Sequence, residues 1–153
     1  MAVYTPPETY TLMRYGKSVS RTTAALPQTA AAAIFNVVGG RVAITKIVGE
    51  VTTAIQNQAN NTKLTANPTA GTSVDICAVL NIADDEVGCL YGITGLNTDA
   101  LIGINAGALP GQTRDVVVNA GTIDLDCAAS NTGSVKWTVF YVPIDEGATV
   151  TAA

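Results

Sequence analysis

The carboxylates are the residues of this chain whose types and spacing could support chemistry. Asp84, Asp85 and Glu86 are contiguous, whereas Asp124 and Asp126 stand two positions apart in an alternating segment. A calcium loop places its oxygen ligands at alternate positions, and the contiguous triplet lacks that spacing. A carboxylate pair on one strand face can do acid–base work only if one member is shielded from water. We therefore predict an exposed acidic turn at the triplet and a solvated outer strand face at the pair.

Histidine is absent, and the three cysteines are widely separated. Without histidine the chain has no Ser–His or Cys–His pair, no imidazole base and no zinc site with His ligands. Cys77, Cys89 and Cys127 match no metal-binding or redox spacing. Cys77 and Cys127 lie in apolar or alternating segments that are typical of buried thiols. These patterns predict no catalytic residue, no metal site and no cofactor.

Two glycine-rich segments and the single tryptophan are weaker candidates for ligand sites. Residues 92–95 and 103–107 lack the strand-to-helix context and the lysine of a phosphate loop, so we interpret their glycines as turns. Trp137, next to Lys136, could stack on a sugar ring. One aromatic residue on a strand is more often packed in the core, which is our interpretation of Trp137.

Length and charge restrict the classes of partner. The chain has 153 residues, of which 48% are hydrophobic and 13% charged, and its net charge is −4. A single domain of this length buries about 70% of the surface that its unfolded chain exposes. Clustered Lys and Arg are absent, so nucleic acid is not an expected partner. We also expect no secretory signal and no membrane span, because no apolar segment approaches about 20 residues.

Short alternating or apolar segments, separated by Gly, Asn and Asp, predict about nine strands and no convincing helix. The predicted strands are residues 33–38, 41–55, 62–65, 74–82, 88–94, 101–104, 114–119, 122–128 and 135–142. Turn signals about every 8–12 residues are typical of antiparallel sandwiches and barrels. We predict an all-β fold, an antiparallel two-sheet sandwich that is jelly-roll-like.

The pattern also predicts three local features of the strands. Gly49 interrupts the longest alternating run, which predicts a bulge or bend at that position. Asn60 and Asn61 predict the tip of a hairpin that returns into residues 62–65. Residues 74–82 form the most apolar run and therefore predict a central strand.

The N-terminal segment differs in composition from the rest of the chain. It has three prolines before residue 28, many threonines, charges of both signs and little periodicity. We predict an extended N-terminal arm over residues 1–30, with a short turn of helix or strand near residues 10–15, and a single β-sandwich domain over residues 31–153. Such arms are disordered or become ordered on a neighbour. Since tyrosine is frequent at interfaces, the expected partner-binding residues are Tyr4, Tyr10, Arg14, Tyr15 and Arg21.

The strand region resembles a known class of viral proteins. Residues 40–49 read GRVAITKIVG, followed by NTKL at residues 61–64 and NPT at residues 67–69. With the Thr/Pro-containing arm and the lack of histidine, residues 34–142 resemble in overall texture the head decoration, or cement, proteins of tailed bacteriophages. The resemblance implies a jelly-roll or related fold, a homotrimer at capsid threefold or quasi-threefold axes, and an arm that reaches over neighbouring subunits.

The function implied by this resemblance is structural rather than enzymatic. The chain would bind over joints between major capsid proteins and stabilise the head, without nucleic acid, membrane or small-molecule substrate. It would be made in the host cytoplasm and lie in the virion, on the outer surface of the capsid. The alternative is a carbohydrate- or receptor-binding β-sandwich module of a phage tail or fibre, which would need exposed aromatic residues.

Overall fold

The computed structural model describes residues 6–153, which contain one helix and thirteen strands. Strand residues are largely Val, Ile and Thr, whose branched side chains favour extended backbone. The elements in chain order are α1 (Pro6–Tyr15), β1 (Lys17–Ser20), β2 (Ala24–Ala25), β3 (Ala31–Val38), β4 (Val42–Thr53), β5 (Asn61–Pro68), β6 (Val74–Asp75), β7 (Leu80–Asn81), β8 (Leu90–Gly92), β9 (Ile102–Ile104), β10 (Val116–Val118), β11 (Gly121–Cys127), β12 (Ser134–Pro143) and β13 (Thr149–Ala152).

The strands form two antiparallel sheets that pack against each other. Sheet A has the order β1-β12-β4-β8-β9, with β2 beside β12 and β10 beside β4. Sheet B has the order β13-β3-β11-β5-β6, with β7 also beside β5. Along the main strands β1, β3, β4, β5, β6/β7, β8, β11 and β12, the chain visits the sheets in the order A, B, A, B, B, A, B, A. Four of these eight main strands lie in each sheet, and their order is that of a jelly roll. The two packed antiparallel sheets confirm the predicted all-β sandwich.

The core lies between the sheets and is built from alternate residues of the long strands. In β12 the side chains of Val135, Trp137, Val139 and Tyr141 are all buried. The three cysteines are buried free thiols, as predicted for two of them. Burial raises the pKa of the Cys77 thiol to about 11, because desolvation penalises the thiolate.

Position 49 requires glycine because Trp137, the largest side chain in the core, packs directly against it. Gly49 of β4 lies between Trp137 of β12 and Tyr91 of β8 in the register of sheet A. The Trp137 and Tyr91 rings stack with centroids 6.1 Å apart. A Cβ at position 49 would lie 2.8 Å from Cζ3 of the indole. The register of β4 with β12 continues without a shift through Gly49, so the bulge predicted there is wrong. The glycine makes room for the Trp137 ring instead.

The bulge in this part of β4 lies at Thr45. Phe140 pairs with Lys46 and Tyr141 with Ile44, which leaves Thr45 as the extra residue. Such a residue reverses the alternation of the strand. Ile44 and Ile47 are consequently both buried, although they are three positions apart.

Two further expectations fail because sequence alternation does not show which sheet a strand joins. β4 belongs to sheet A and β5 to sheet B, so residues 54–60 cross the sandwich and form no hairpin. The apolar run at residues 74–82 is not a central strand. It forms the short strands β6 and β7, both paired with β5. The run is apolar because Ile76, Cys77 and Ile82 fill this margin of the core.

The segment predicted as an extended arm is largely ordered against the sandwich. β1 pairs with β12 over residues 17–20, and β2 pairs with the start of β12. α1 begins with prolines, which suit the first helical turn, and Gly16 follows its end with φ +82°. The expectation of no convincing helix is wrong, although the short turn predicted near residues 10–15 falls within α1. A ten-residue helix and two short strands leave too little periodicity to recognise. Tyr4 lies outside the described residues.

A substitution at Gly49 tests whether the Trp137 ring packs directly against the backbone at this position. Gly49→Ala is expected to lower the free energy of unfolding by about 1–3 kcal/mol, since the added methyl group overpacks the ring site. Gly111→Ala is the matched control, because a Cβ there meets no atom within 4 Å. Urea unfolding of both variants measures the difference. An unfolding free energy unchanged by Gly49→Ala would contradict the assigned packing.

A salt bridge joins the β3–β4 turn to the β12–β13 turn. The Asp145 carboxylate accepts hydrogen bonds from Arg41 Nε at 2.9 Å and Nη2 at 2.7 Å, and from the Arg41 backbone N–H at 2.7 Å. These hydrogen bonds lower the pKa of Asp145 to about 2. A carboxylate with a lowered pKa stabilises the fold above its unfolded pKa of about 4, and this contribution is lost as the pH falls towards the folded value.

This linkage gives a test by pH. Asp145→Asn is expected to unfold at a lower temperature than the parent protein at pH 7, and the gap should narrow as the pH falls from about 4 to about 2. Glu146→Gln removes an adjacent exposed carboxylate and serves as the control. Thermal unfolding across this pH range measures both. A gap that persists unchanged to low pH would show that the carboxylate charge is not the cause.

Candidate partner-binding surface

Helix α1 presents its apolar side chains to solvent. None of its residues is buried, and the side chains of Tyr10 and Met13 are 61% and 83% exposed. Leu12 is also exposed. A helix on the surface of a domain normally buries an apolar stripe against the core. The side chains of α1 are thus available to a second molecule.

The end of α1 and the outer face of sheet A form a cluster of aromatic and cationic groups. The rings of Tyr15 and Phe140 pack with centroids 5.5 Å apart. The Arg14 guanidinium carbon lies 5.1 Å from the Tyr15 ring centroid, and Lys46 Nζ lies 5.6 Å from it. Both distances are those of cation–π contacts. Arg14 Nη1 also donates to the Tyr10 hydroxyl at 2.9 Å, and this hydrogen bond raises the Arg14 pKa.

Two local features fix the position of this cluster. The Thr45 hydroxyl, on the bulge of β4, donates to the Tyr15 carbonyl at 2.6 Å. A Cβ at Gly16 would lie 2.2 Å from the Tyr141 carbonyl oxygen, so only glycine allows the chain to pass from α1 into β1. The bulge and the glycine together attach the helix to sheet A by its C-terminal end.

The structure brings together three of the residues predicted to bind a partner, Tyr10, Arg14 and Tyr15. Arg21 lies elsewhere, beyond the far end of β1. Its backbone N–H donates to the Trp137 carbonyl at 2.8 Å, and its Nε donates to the Ala153 carbonyl at 3.1 Å. Phe140 and Lys46 could not be identified from the sequence, because their place beside Tyr15 depends on the register of β12 with β4.

Positive charge is concentrated on this side of the molecule, although the chain carries a net charge of −4. The carboxylates on α1 and on the outer face of sheet A are Glu8 and Glu50. Five of the eight basic residues lie on α1, on or just beyond β1, or on the outer face of sheet A: Arg14, Lys17, Arg21, Lys46 and Lys136. We name this side the basic face. Its charge complements an acidic surface.

The acidic turn at residues 84–86 is exposed at Asp84 and Glu86, as predicted, but not at Asp85. The Asp85 carboxylate is half-buried and accepts a hydrogen bond from the Tyr91 hydroxyl. Desolvation by burial raises the pKa of Asp85, and desolvation also raises that of Cys89, to about 11. Within residues 6–153, no group of three or more His, Cys, Asp or Glu residues is arranged to hold a metal ion.

The prediction that Asp124 and Asp126 form a solvated pair is wrong for Asp124. Asp124 is only 7% exposed, although it points to the outer face of sheet B. Its Oδ2 accepts a hydrogen bond from Asn67 Nδ2 at 3.4 Å, and its Oδ1 has no partner among the described residues. Asp126 is more open and lies 3.9 Å from Lys63 Nζ. Asp124 lies between Ala33 of β3 and Thr65 of β5, and this register is not visible in the sequence.

The remaining candidates for ligand sites, Trp137 and the glycines at positions 92 and 103, lie in the core or within strands. Trp137 is 1% exposed, so it packs in the core as expected. Gly92 and Gly103 lie within β8 and β9, and the interpretation of these two as turn glycines is wrong. A Cβ at Gly92 would lie 2.8 Å from a Leu109 methyl carbon, and a Cβ at Gly103 would lie 2.7 Å from one of Leu80.

Comparisons with protein-family models, with curated proteins and with solved structures gave no match. In the described part of the chain, no helix has the length and apolar character needed to cross a bilayer.

Nested deletions separate the surface helix from the sheet. Deleting residues 1–14 is expected to change the free energy of unfolding by less than about 1 kcal/mol, because α1 contributes no buried side chain. Deleting residues 1–20 also removes β1 and its packed Val19, which should cost roughly 2 kcal/mol. Chemical denaturation measures both. An equal loss for the two deletions would contradict the assignment of β1 to the sheet.

Proposed function

We propose that this chain is a non-enzymatic virion structural protein that decorates a capsid. It binds over joints between major capsid proteins on the outer surface of the head, as a homotrimer, and stabilises the shell. The basic face is its docking surface. Repeated contacts over a lattice give strong attachment through avidity, even where each contact is weak.

The observation that carries this proposal is the exposed helix α1, which adds no side chain to the core. Tyr10 and Met13 are large, adaptable contact groups of the kind that interface cores favour. The cations around Tyr15 add steering towards an acidic surface. The jelly-roll fold and the low content of charged residues, 13%, agree with a subunit that is partly covered in an assembly.

The carbohydrate-binding alternative gains no support from the single tryptophan. Sugar rings stack on exposed aromatic faces, whereas the Trp137 indole lies inside the sandwich. Tyr10 is the one aromatic residue among the large exposed hydrophobic side chains of residues 6–153.

The copy number of the chain in purified particles tests the proposal. Quantitative mass spectrometry should find a ratio to the most abundant shell protein of about one or a simple fraction of it, as expected for lattice occupancy. A variant lacking residues 1–14 should fall well below the parent protein in the same particles, because its docking helix is missing. A handful of copies, or none, for the parent protein would contradict a decoration role.

A further inference from the structure

A hollow of about 460 Å³ lies on the basic face, at the end of β1 remote from α1. It is lined by two cations and four hydroxyl side chains: Ser20, Arg21, Thr22, Thr23, Thr52 and Lys136. We propose that this hollow binds a carboxylate, supplied by an acidic side chain of the partner protein. The identity of the donor as a protein rests on the proposed function.

Hydrogen bonds between neighbouring strands shape the hollow. The register of β4 with β12 shifts at Thr52, which is the extra residue between the pairs formed by Ser134 and Val135. The Thr52 hydroxyl donates to the Ser134 carbonyl at 3.2 Å and is hydrogen-bonded to the Thr23 hydroxyl. These bonds hold the connection between β1 and β2 against the sheet, so the hollow is a formed feature of the fold.

The two cations of the hollow are not held in ion pairs with carboxylate side chains of the described residues. Within residues 6–153, the ion pairs with Asp side chains are those of Arg41 and Lys63, and Arg21 and Lys136 form none. Glu50 is the register partner of Lys136, yet it makes no ion pair with it. Two cations that share one concavity repel each other, and an anion between them removes that repulsion.

The donors suit a carboxylate. The Nε of Arg21 is used by the Ala153 carbonyl, and the terminal N–H groups of its guanidinium are not part of that bond. Guanidinium and ammonium groups form charge-assisted hydrogen bonds with carboxylates. The Thr52 hydroxyl donates to the Ser134 carbonyl, and the Thr23 hydroxyl donates to Thr52. A neutral hydrogen bond to the carboxylate would therefore come from Thr22. A nucleic-acid strand fits less well, because it needs rows of phosphate contacts and aromatic stacking platforms.

The hollow lies on the same face as the aromatic cluster at α1. Lys136 and Phe140 are four residues apart on β12, which is roughly 13 Å along a strand. An acidic side chain in the hollow would therefore fix the direction in which a partner lies across the basic face, while Tyr10 and Met13 provide apolar contact at the other end.

The test uses the whole chain with a capped hexaglutamate peptide, and capped hexaglutamine as the neutral probe. In a nuclear magnetic resonance titration at low salt, hexaglutamate should shift the amide signals of residues 20–23, Thr52 and Lys136, and hexaglutamine should not. Arg21→Gln and Lys136→Gln should each weaken hexaglutamate binding by about threefold, as expected for one exposed ion pair. Arg114→Gln, with the same change in net charge elsewhere, should leave it within about 1.5-fold.

Three results would overturn the proposal: no shift at these amides with hexaglutamate, equal weakening by Arg114→Gln, or shifts caused by a single-stranded oligonucleotide and not by hexaglutamate. The last would assign the hollow to nucleic acid. Because the titration needs only the isolated protein, its failure is distinguishable from failure of the copy-number measurement on particles.

Discussion

The packing of Trp137 against Gly49 and against the Tyr91 ring is the contact on which the rest of sheet A depends. It sets the register of β12 with β4, a ladder of ten paired positions. β1 and β2 attach to the other side of β12, and β8 and β10 attach to β4. Since side chains alternate along a strand, a Trp137 that points inward places Lys136 and Phe140 outward. The same contact thus orders the core and the basic face.

The two bulges of β4 link this packing to the proposed function. Each adds one residue to β4 relative to β12, and each extra residue is a threonine whose hydroxyl holds a surface segment. Thr45 holds the end of α1 through the Tyr15 carbonyl, and Thr52 is bonded to Thr23 of the β1–β2 connection. Bulges commonly re-aim side chains near functional sites. Here they position the aromatic cluster and the hollow, the two parts of the proposed docking surface.

The sequence was sufficient for the all-β sandwich, because alternation and turn residues are local signals. It was also sufficient for the burial of Trp137 and Cys77. The sequence wrongly predicted a hairpin at residue 60 and a central strand at residues 74–82. Local alternation does not show which sheet a strand joins, and both predictions depended on that. Of the predicted site, Tyr10, Arg14 and Tyr15 come together on α1, whereas Phe140, Lys46 and Lys136 became visible only through the register of β12 with β4.

The proposed docking surface is the basic face and not sheet B. Hydrogen–deuterium exchange of the chain, free and bound to particles, distinguishes the two surfaces. Binding is expected to slow exchange at the amides of residues 6–25 and to leave the amides of β5, β11 and β13 unchanged. Protection confined to those strands of sheet B, with residues 6–25 unchanged, would contradict this proposal.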